Sequence, residues 1–78
     1  MKPEVAFGKI LKRYRKKATL SQEKLASGSK LDRTYISLLE RGLRQPSLTT
    51  ILQIAKTLNT DPGNLITEVT NFIKNKGK

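Results

Sequence analysis

Apolar residues recur every three or four positions in five segments of this 78-residue chain, with short polar runs between them. This spacing places apolar side chains on one face of an α-helix. The segments predict helices over about residues 3–18, between Ser21 and Gly28, and over about residues 33–41, 48–58 and 62–74. No strand pattern, internal repeat or low-complexity run interrupts them. The pattern predicts an all-α fold, a compact five-helix bundle around one small core.

The middle of the chain predicts two short helices joined by a tight turn. Ser21 and Asp32 are residue types that cap helix N-termini, and each stands just before a helical segment. The run from Gly28 to Lys30 interrupts the pattern between them, and Gly42 is suited to end the second helix. The residues expected on the buried face of that helix are Ile36, Leu39 and Leu43. This arrangement is a helix-turn-helix over about residues 21–42.

Helix five, over about residues 62–74, carries more apolar surface than a small core needs. Asp61 is suited to cap it and Pro62 to occupy its first position, as Ser47 is suited to cap helix four after Pro46. We expect part of its apolar stripe, with the end of helix four, to form a two-fold interface between two copies. The alternative is that the whole stripe is core. The stripe consists of Leu65, Ile66, Val69, Phe72 and Ile73. Asn75 to Lys78 are expected to form a frayed basic tail.

The charge of the chain narrows the class of partner. Sixteen Lys and Arg oppose six Asp and Glu, which gives a net charge of +10. On so small a protein, this excess favours nucleic acid over a membrane surface or over a role in solubility alone. The length predicts a single domain over residues 1–78.

The absence of two residue types restricts the chemistry. The chain contains no cysteine and no histidine, so it lacks disulfides, thiolate metal sites and the usual general bases. We therefore expect a protein that is not an enzyme and that uses no metal or cofactor. No run of about 18 apolar residues and no secretory signal is found. We expect a cytoplasmic, nucleoid-associated protein with no membrane contact and no small-molecule ligand.

Polar side chains at the start of the third helix, the reading helix, predict a surface that reads DNA. A helix fits the major groove, and its N-terminal side chains reach the base edges. Arg33 has the fork that pairs with guanine, Thr34 suits a thymine methyl, and Ser37 is small enough for close approach. Tyr35 points toward a phosphate or sugar, with packing inside the protein as the alternative. For Arg33 the alternative is a surface ion pair with Asp32 or another neighbour.

Residues on either side of the reading helix are candidates for phosphate contacts. Arg41, Arg44 and Gln45 follow it and are expected to clamp the DNA backbone. Gln22 stands in the first turn of helix two, where backbone N–H groups attract a phosphate, and the alternative is an ordinary exposed glutamine. The polar face of helix one is expected to be solvated, with at most one or two phosphate contacts. Its basic residues are Lys9, Lys12, Arg13, Lys16 and Lys17.

From about Phe7 to Ile66 the chain resembles the Cro/CI-type (XRE) helix-turn-helix family, which includes the lambdoid phage repressors. The resemblance rests on an ordered series of motifs: Arg15, Ser21-Gln22-Glu23-Lys24-Leu25-Ala26, Ile36-Ser37, Glu40-Arg41-Gly42, Pro46, Ile51, Ile54-Ala55 and Leu58. It implies a lambda-repressor-like domain that binds double-stranded DNA and regulates transcription. It also implies a largely buried ion pair between Arg15 and Glu40.

The turn departs from the family pattern at Lys30, where family members usually carry glycine. A lysine at this position implies either a left-handed backbone, at a cost of roughly 1 kcal/mol, or a reshaped turn. The departure concerns the turn geometry and leaves the expected fold unchanged.

The run from Leu31 to Ser37, LDRTYIS, in so short a chain, is also similar to the controller proteins of restriction–modification systems. These are small homodimeric regulators that bind palindromic operators near their own gene and the endonuclease gene. Prophage and plasmid regulators share similar runs, so that alternative stays open. A function of another class is an antitoxin-type interaction module that also binds DNA, although the chain has no long extra segment to wrap a toxin.

Overall fold

A computed structural model describes residues 1–76 and the side chains of residues 1–75. The helices are α1 (Pro3–Lys17), α2 (Gln22–Gly28), α3 (Arg33–Glu40), α4 (Leu48–Thr57) and α5 (Pro62–Lys76), and the described residues form no strand. The predicted all-α fold is confirmed. The expected tail is corrected at Asn75 and Lys76, which continue α5, while residues 77–78 lie outside the described part. Within residues 1–76, no helix is long and apolar enough to cross a membrane.

Side chains cap the N-termini of three helices at the expected residues. An oxygen of the capping residue accepts a hydrogen bond from a backbone N–H in the first turn, which satisfies one otherwise unpaired donor. The pairs are Ser21 with Lys24 at 3.0 Å, Ser47 with Thr50 at 3.1 Å, and Asp61 with Gly63 at 2.7 Å. Asp32 occupies the N-cap position of α3, but its side chain makes no cap hydrogen bond.

The first four helices end in the same backbone motif, with one residue in the left-handed region just after the helix. These residues are Thr19 (φ +58°), Lys30 (φ +57°), Gly42 (φ +74°) and Asn59 (φ +54°). The next N–H then donates back to a carbonyl in the last turn, as in Leu31 to Ala26 at 2.8 Å, which is the Schellman arrangement. Of the two alternatives considered for Lys30, the left-handed backbone is the one the structure shows.

The core takes apolar side chains from all five helices. Its fully buried members include Ile10, Leu11, Leu25, Ile36, Leu39, Ile54 and Leu65. Leu43 was expected on the same face of the reading helix as Ile36, but 52% of its surface is exposed. The helix has already ended at Glu40, and helical spacing no longer directs the Leu43 side chain toward the core.

A glycine allows α1 to lie directly against the end of α3. A Cβ atom at Gly8 would be 2.4 Å from the carbonyl oxygen of Leu39 and 2.7 Å from that of Glu40. Both are backbone atoms, so no side-chain rotation could relieve the overlap. The close approach brings Arg15, two turns further along α1, to the carboxylate of Glu40.

Candidate nucleic-acid interface

The reading helix α3 has one face fixed in the core and the other open to solvent. Ile36 and Leu39 have no exposed surface, whereas Arg33 and Thr34 at its start are exposed and Ser37 is half-buried. Within the described residues, the side chains of Arg33, Thr34 and Ser37 make no hydrogen bond or ion pair. The ion pair between Arg33 and Asp32, the alternative raised above, does not form. These polar groups are therefore available to an external partner.

Tyr35 has the packing role that was the alternative considered for it. Its side chain is half-buried and packs against the core cluster, so the packing alternative has structural support. Part of the ring remains exposed beside Thr34. Leu38 is also half-buried, between the core face and the open face. Contact of Tyr35 with DNA stays a prediction.

A buried ion pair holds the far end of the reading helix. Arg15 Nε lies 2.6 Å from Glu40 Oε2, and Arg15 Nη2 donates to Glu40 Oε1 at 3.1 Å. The side chains are only 11% and 3% exposed. This two-point contact fixes both the direction and the rotation of the carboxylate. The ion pair that the family resemblance implies is thus present, and it ties α1 to α3.

Gln22 belongs to the same cluster. Its Nε2 donates to Glu40 Oε1 at 3.0 Å, and Arg15 Nη1 donates to the carbonyl oxygen of Leu20 at 2.9 Å. These bonds join the start of α2 to α1 and to the end of α3. One N–H of the Gln22 amide is therefore used inside the protein, and its second N–H remains for the phosphate contact predicted from the sequence.

The segment after α3 presents two further cations and a glutamine. Arg41, Arg44 and Gln45 are all exposed, and the one intramolecular side-chain bond among them is a long contact of 3.3 Å from Arg44 to the carbonyl of Leu43. They lie between the reading helix and the capped N-terminus of α4. Their phosphate contacts stay predictions, and their exposure leaves them free to make such contacts.

The apolar stripe of α5 is divided between core and surface. Leu65 is fully buried and Val69 is 8% exposed, while Phe72 and Ile73 are half-buried against the core. Ile66 alone of the five is largely open, at 44%. Leu65 and Val69 are therefore unavailable to a second copy, because α5 packs on both α1 and α4 and needs a wide apolar face.

Two exposed leucines on α4 were missed by sequence reasoning. Leu48 is 73% exposed and Leu52, one turn later, is 49% exposed, although both are among the apolar positions whose spacing predicts helix four. A shallow apolar groove of about 180 Å³ lies between Ile66, Pro46 and the start of α1. The exposed leucines thus lie at the beginning and in the middle of α4, and the expected contribution of the end of that helix to an interface stays a prediction.

Comparison with known proteins agrees with this geometry. A helix-turn-helix family model matches residues 11–65. Control protein C.BamHI from Bacillus amyloliquefaciens is 46% identical over 61 residues, which cover 77% of this chain and 75% of that protein. The chain belongs to the XRE-type helix-turn-helix family.

Within this family, solved restriction–modification controller proteins share the fold. C.AhdI from Aeromonas hydrophila is 45% identical, with 80% of this chain and 94% of that chain covered and a TM-score of 0.78. C.Esp1396I, solved as a tetramer with its natural 35 base-pair operator, is 29% identical, with coverages of 94% and 96% and a TM-score of 0.84. The family predicted from the sequence is confirmed, and these relatives do not favour the antitoxin alternative.

Proposed function

We propose that this helix-turn-helix protein is a transcription regulator that binds a palindromic operator as a homodimer, in the manner of restriction–modification controller proteins. The observation that carries the proposal is the open start of α3, where Arg33 and Thr34 are exposed, Ser37 is half-buried, and none of the three side chains makes an internal hydrogen bond or ion pair. The complex of the related C.Esp1396I with its operator supports it. The proposed role is binding without catalysis, in the cytoplasm and in association with the nucleoid.

In this proposal the reading helix enters the major groove with its N-terminus first. Arg33 donates two hydrogen bonds to O6 and N7 of a guanine, and Thr34 contacts a neighbouring thymine methyl or accepts a hydrogen bond. Ser37 allows the helix to approach closely. Tyr35 borders the groove and reaches the sugar–phosphate backbone.

Phosphate contacts from both ends of the motif hold the reading helix in register. Gln22 reaches one strand from the start of α2, where the helix dipole favours an anion. Arg41, Arg44 and Gln45 reach the backbone from the segment after α3. Contacts of this kind position the protein without reading sequence.

The apolar surface supports the homodimer. Leu48 and Leu52 on α4 and Ile66 on α5 expose large apolar side chains on a small protein. A two-fold axis through this surface would bury them in both copies and place two reading helices about 34 Å apart, one turn of DNA. We therefore place the interface on these three residues, with Phe72 and Ile73 at its edge.

The direct test is titration of the protein onto labelled DNA from upstream of its own gene, against shuffled DNA of the same length, at two salt concentrations. We expect tight binding to the upstream DNA and weak, steeply salt-dependent binding to the shuffled DNA. Equal affinity for both at each salt concentration would refute sequence-specific regulation at that site.

The role of Arg33 is tested by replacement with alanine. Arg33→Ala should lose about 1–3 kcal/mol of binding free energy on the operator and little on shuffled DNA, because base contacts carry specificity. Lys74→Ala removes one exposed charge from α5 and is the matched control. An equal loss on both DNAs would show that Arg33 only neutralises phosphate.

A further inference from the structure

Three lysines form a line along the outer face of α1. Lys9, Lys12 and Lys16 follow the helical spacing of one face, and all three side chains are exposed. We call them the α1 lysine stripe. The neighbouring faces of the helix are occupied, because Gly8 and Arg15 lie against α3 while Arg13 lies 5.8 Å from the ring centre of Phe72 on α5.

The charge of the α1 lysine stripe is not compensated within the protein. No carboxylate among the side chains of residues 1–75 lies within 4.0 Å of any of the three ammonium groups. Like charges three and four residues apart repel one another and destabilise a helix. A helix that only needed a soluble face would gain stability from acidic residues at such positions. The arrangement therefore indicates an external anion.

The stripe begins next to the surface proposed to bind DNA. Lys16 follows Arg15, whose guanidinium contacts Leu20 just before α2 and Glu40 at the end of α3. From there the stripe extends along α1 to Lys9, over about 10 Å at 1.5 Å per residue. Duplex DNA carries roughly one charge per 1.7 Å of its axis, so this length matches several phosphates.

We infer that the α1 lysine stripe binds the phosphate backbone of the DNA that flanks the operator half-site, on the same duplex. The inference rests on the proposed function. Lys16 is next to Arg15 in the chain, and Arg15 and Gln22 both donate to Glu40 Oε1, so DNA that continues past the Gln22 edge of the half-site is the polyanion we assign to the stripe. The ammonium groups act as point charges and need no particular base sequence.

The test compares two triple variants on two DNA lengths. Lys9→Gln/Lys12→Gln/Lys16→Gln removes the stripe, and Lys2→Gln/Lys56→Gln/Lys74→Gln removes three exposed charges elsewhere. The operator is first delimited by footprinting. Fluorescence anisotropy then measures the affinity of each protein for the operator alone and for the operator with arbitrary flanking DNA on each side, at three salt concentrations. Thermal unfolding checks that both variants fold, and loss of lysine repulsion should leave the stripe variant no less stable.

We expect the unchanged protein to bind the flanked operator more tightly than the bare operator. The stripe variant should lose this gain, while the control variant keeps it. The slope of the logarithm of the binding constant against the logarithm of the salt concentration should also fall in magnitude by roughly 2–3 in the stripe variant, because each phosphate contact contributes about 0.9. Equal losses in both variants, or no gain from flanks in the unchanged protein, would overturn the inference.

Two further measurements distinguish this inference from binding to a second duplex and from failure of the proposed function. Capture of a second, unrelated duplex through the lysines, with no effect of the flanks, would contradict the assignment to the same duplex. Preference of the unchanged protein for operator over shuffled DNA of equal length tests the proposed function by itself. If that preference is present and the flank effect is absent, the inference fails while the proposed function stands.

Discussion

The carboxylate of Glu40 receives hydrogen bonds from Arg15 Nε, Arg15 Nη2 and Gln22 Nε2, and the Glu40 side chain is only 3% exposed. A buried carboxylate is stable only if its charge and its lone pairs are satisfied, and here both are. Because the donors come from α1 and α2, these hydrogen bonds also fix the position of the C-terminal end of the reading helix relative to both of those helices. Removal of the Glu40 charge would leave the buried Arg15 cation without a counter-charge.

Glu40→Gln should lower the free energy of unfolding by about 3–5 kcal/mol, because the neutral amide cannot balance the Arg15 guanidinium. Urea denaturation of the variant and the unchanged protein measures this difference. Glu23→Gln, which neutralises an exposed carboxylate on α2, is the control and should cost no more than about 1 kcal/mol. Similar costs for the two variants would show that the ion pair contributes little.

The Glu40 cluster marks the limit of prediction at the residue scale. The pairing of Arg15 with Glu40 was available only through the family resemblance, since nothing in the spacing of two residues on different helices fixes their distance. The bond from Gln22 to Glu40 was not predicted. It joins residues 18 positions apart and depends on how α2 packs against α3, which only the folded structure shows. The exposure of Arg33 and Thr34 was predictable, because it follows from helical spacing alone.

The ends of the helices show what is specified locally. Ser21, Ser47 and Asp61 cap helices as predicted, because a cap depends on residues within one turn. The surface of α4 was harder to predict. Leu48 and Leu52 have the same apolar character as the core residues Ile54 and Ala55, and periodicity cannot distinguish a face covered by the protein itself from one left exposed.

Lys30→Gly should raise the free energy of unfolding by up to about 1 kcal/mol. The residue has φ +57°, where a Cβ atom is strained and glycine is not, although glycine loses more backbone entropy on folding. Lys30→Ala keeps the Cβ and should leave stability almost unchanged, so it is the matched control. Chemical denaturation measures both variants, and a gain in the alanine variant equal to that in the glycine variant would refute the strain argument.

A polar contact joins the first and last helices. The hydroxyl of Tyr14 donates to Glu68 Oε2 at 2.7 Å. This hydrogen bond, together with burial and the nearby negative charge, raises the pKa of Tyr14 above its ordinary value near 10. The neutral phenol is therefore favoured by the folded state, and its stabilising contribution is complete below pH 10.

The stability difference between the unchanged protein and Tyr14→Phe should shrink as pH rises above 10 through the raised pKa of Tyr14. In this pH range Tyr14 loses its proton in the unfolded chain before it does so in the folded protein. The folded protein must then either keep the Tyr14 proton or place the negative phenolate next to the Glu68 carboxylate. Denaturation at pH 8 and pH 11 measures the difference at each pH. Lysines that titrate in this range are common to both proteins and cancel in the comparison. A constant difference across the range would contradict the pKa shift.

At the scale of the whole molecule, the exposed apolar side chains and the start of the reading helix belong to different helices. The exposed apolar side chains of Leu48, Leu52 and Ile66 lie on α4 and α5, whereas the polar reading surface begins at Arg33 on α3. In the proposed homodimer, a second copy binds on α4 and α5 and leaves the reading helix open. Separation of this kind is what a dimer on a palindrome needs, because both reading helices must stay open.

Leu52→Glu should convert a dimer into a monomer and weaken operator binding, because a charge would be buried at the proposed interface. Sedimentation at tens of micromolar protein measures the assembly state, and anisotropy measures the DNA affinity. Thr67→Glu, at an exposed position of α5, is the control and should change neither. A monomeric unchanged protein at that concentration would contradict the homodimer.

The independence of the reading side chains from the rest of the fold has an evolutionary consequence. The side chains of Arg33, Thr34 and Ser37 make no hydrogen bond or ion pair within the described residues, so their replacement removes no polar side-chain contact that stabilises α3. The core and the Glu40 cluster hold the helix in place regardless of what its outer face carries. A few substitutions on that face would redirect the same scaffold to a different operator at little cost to folding. In the proposed function, new operators are therefore accessible through a small number of substitutions on one helix face.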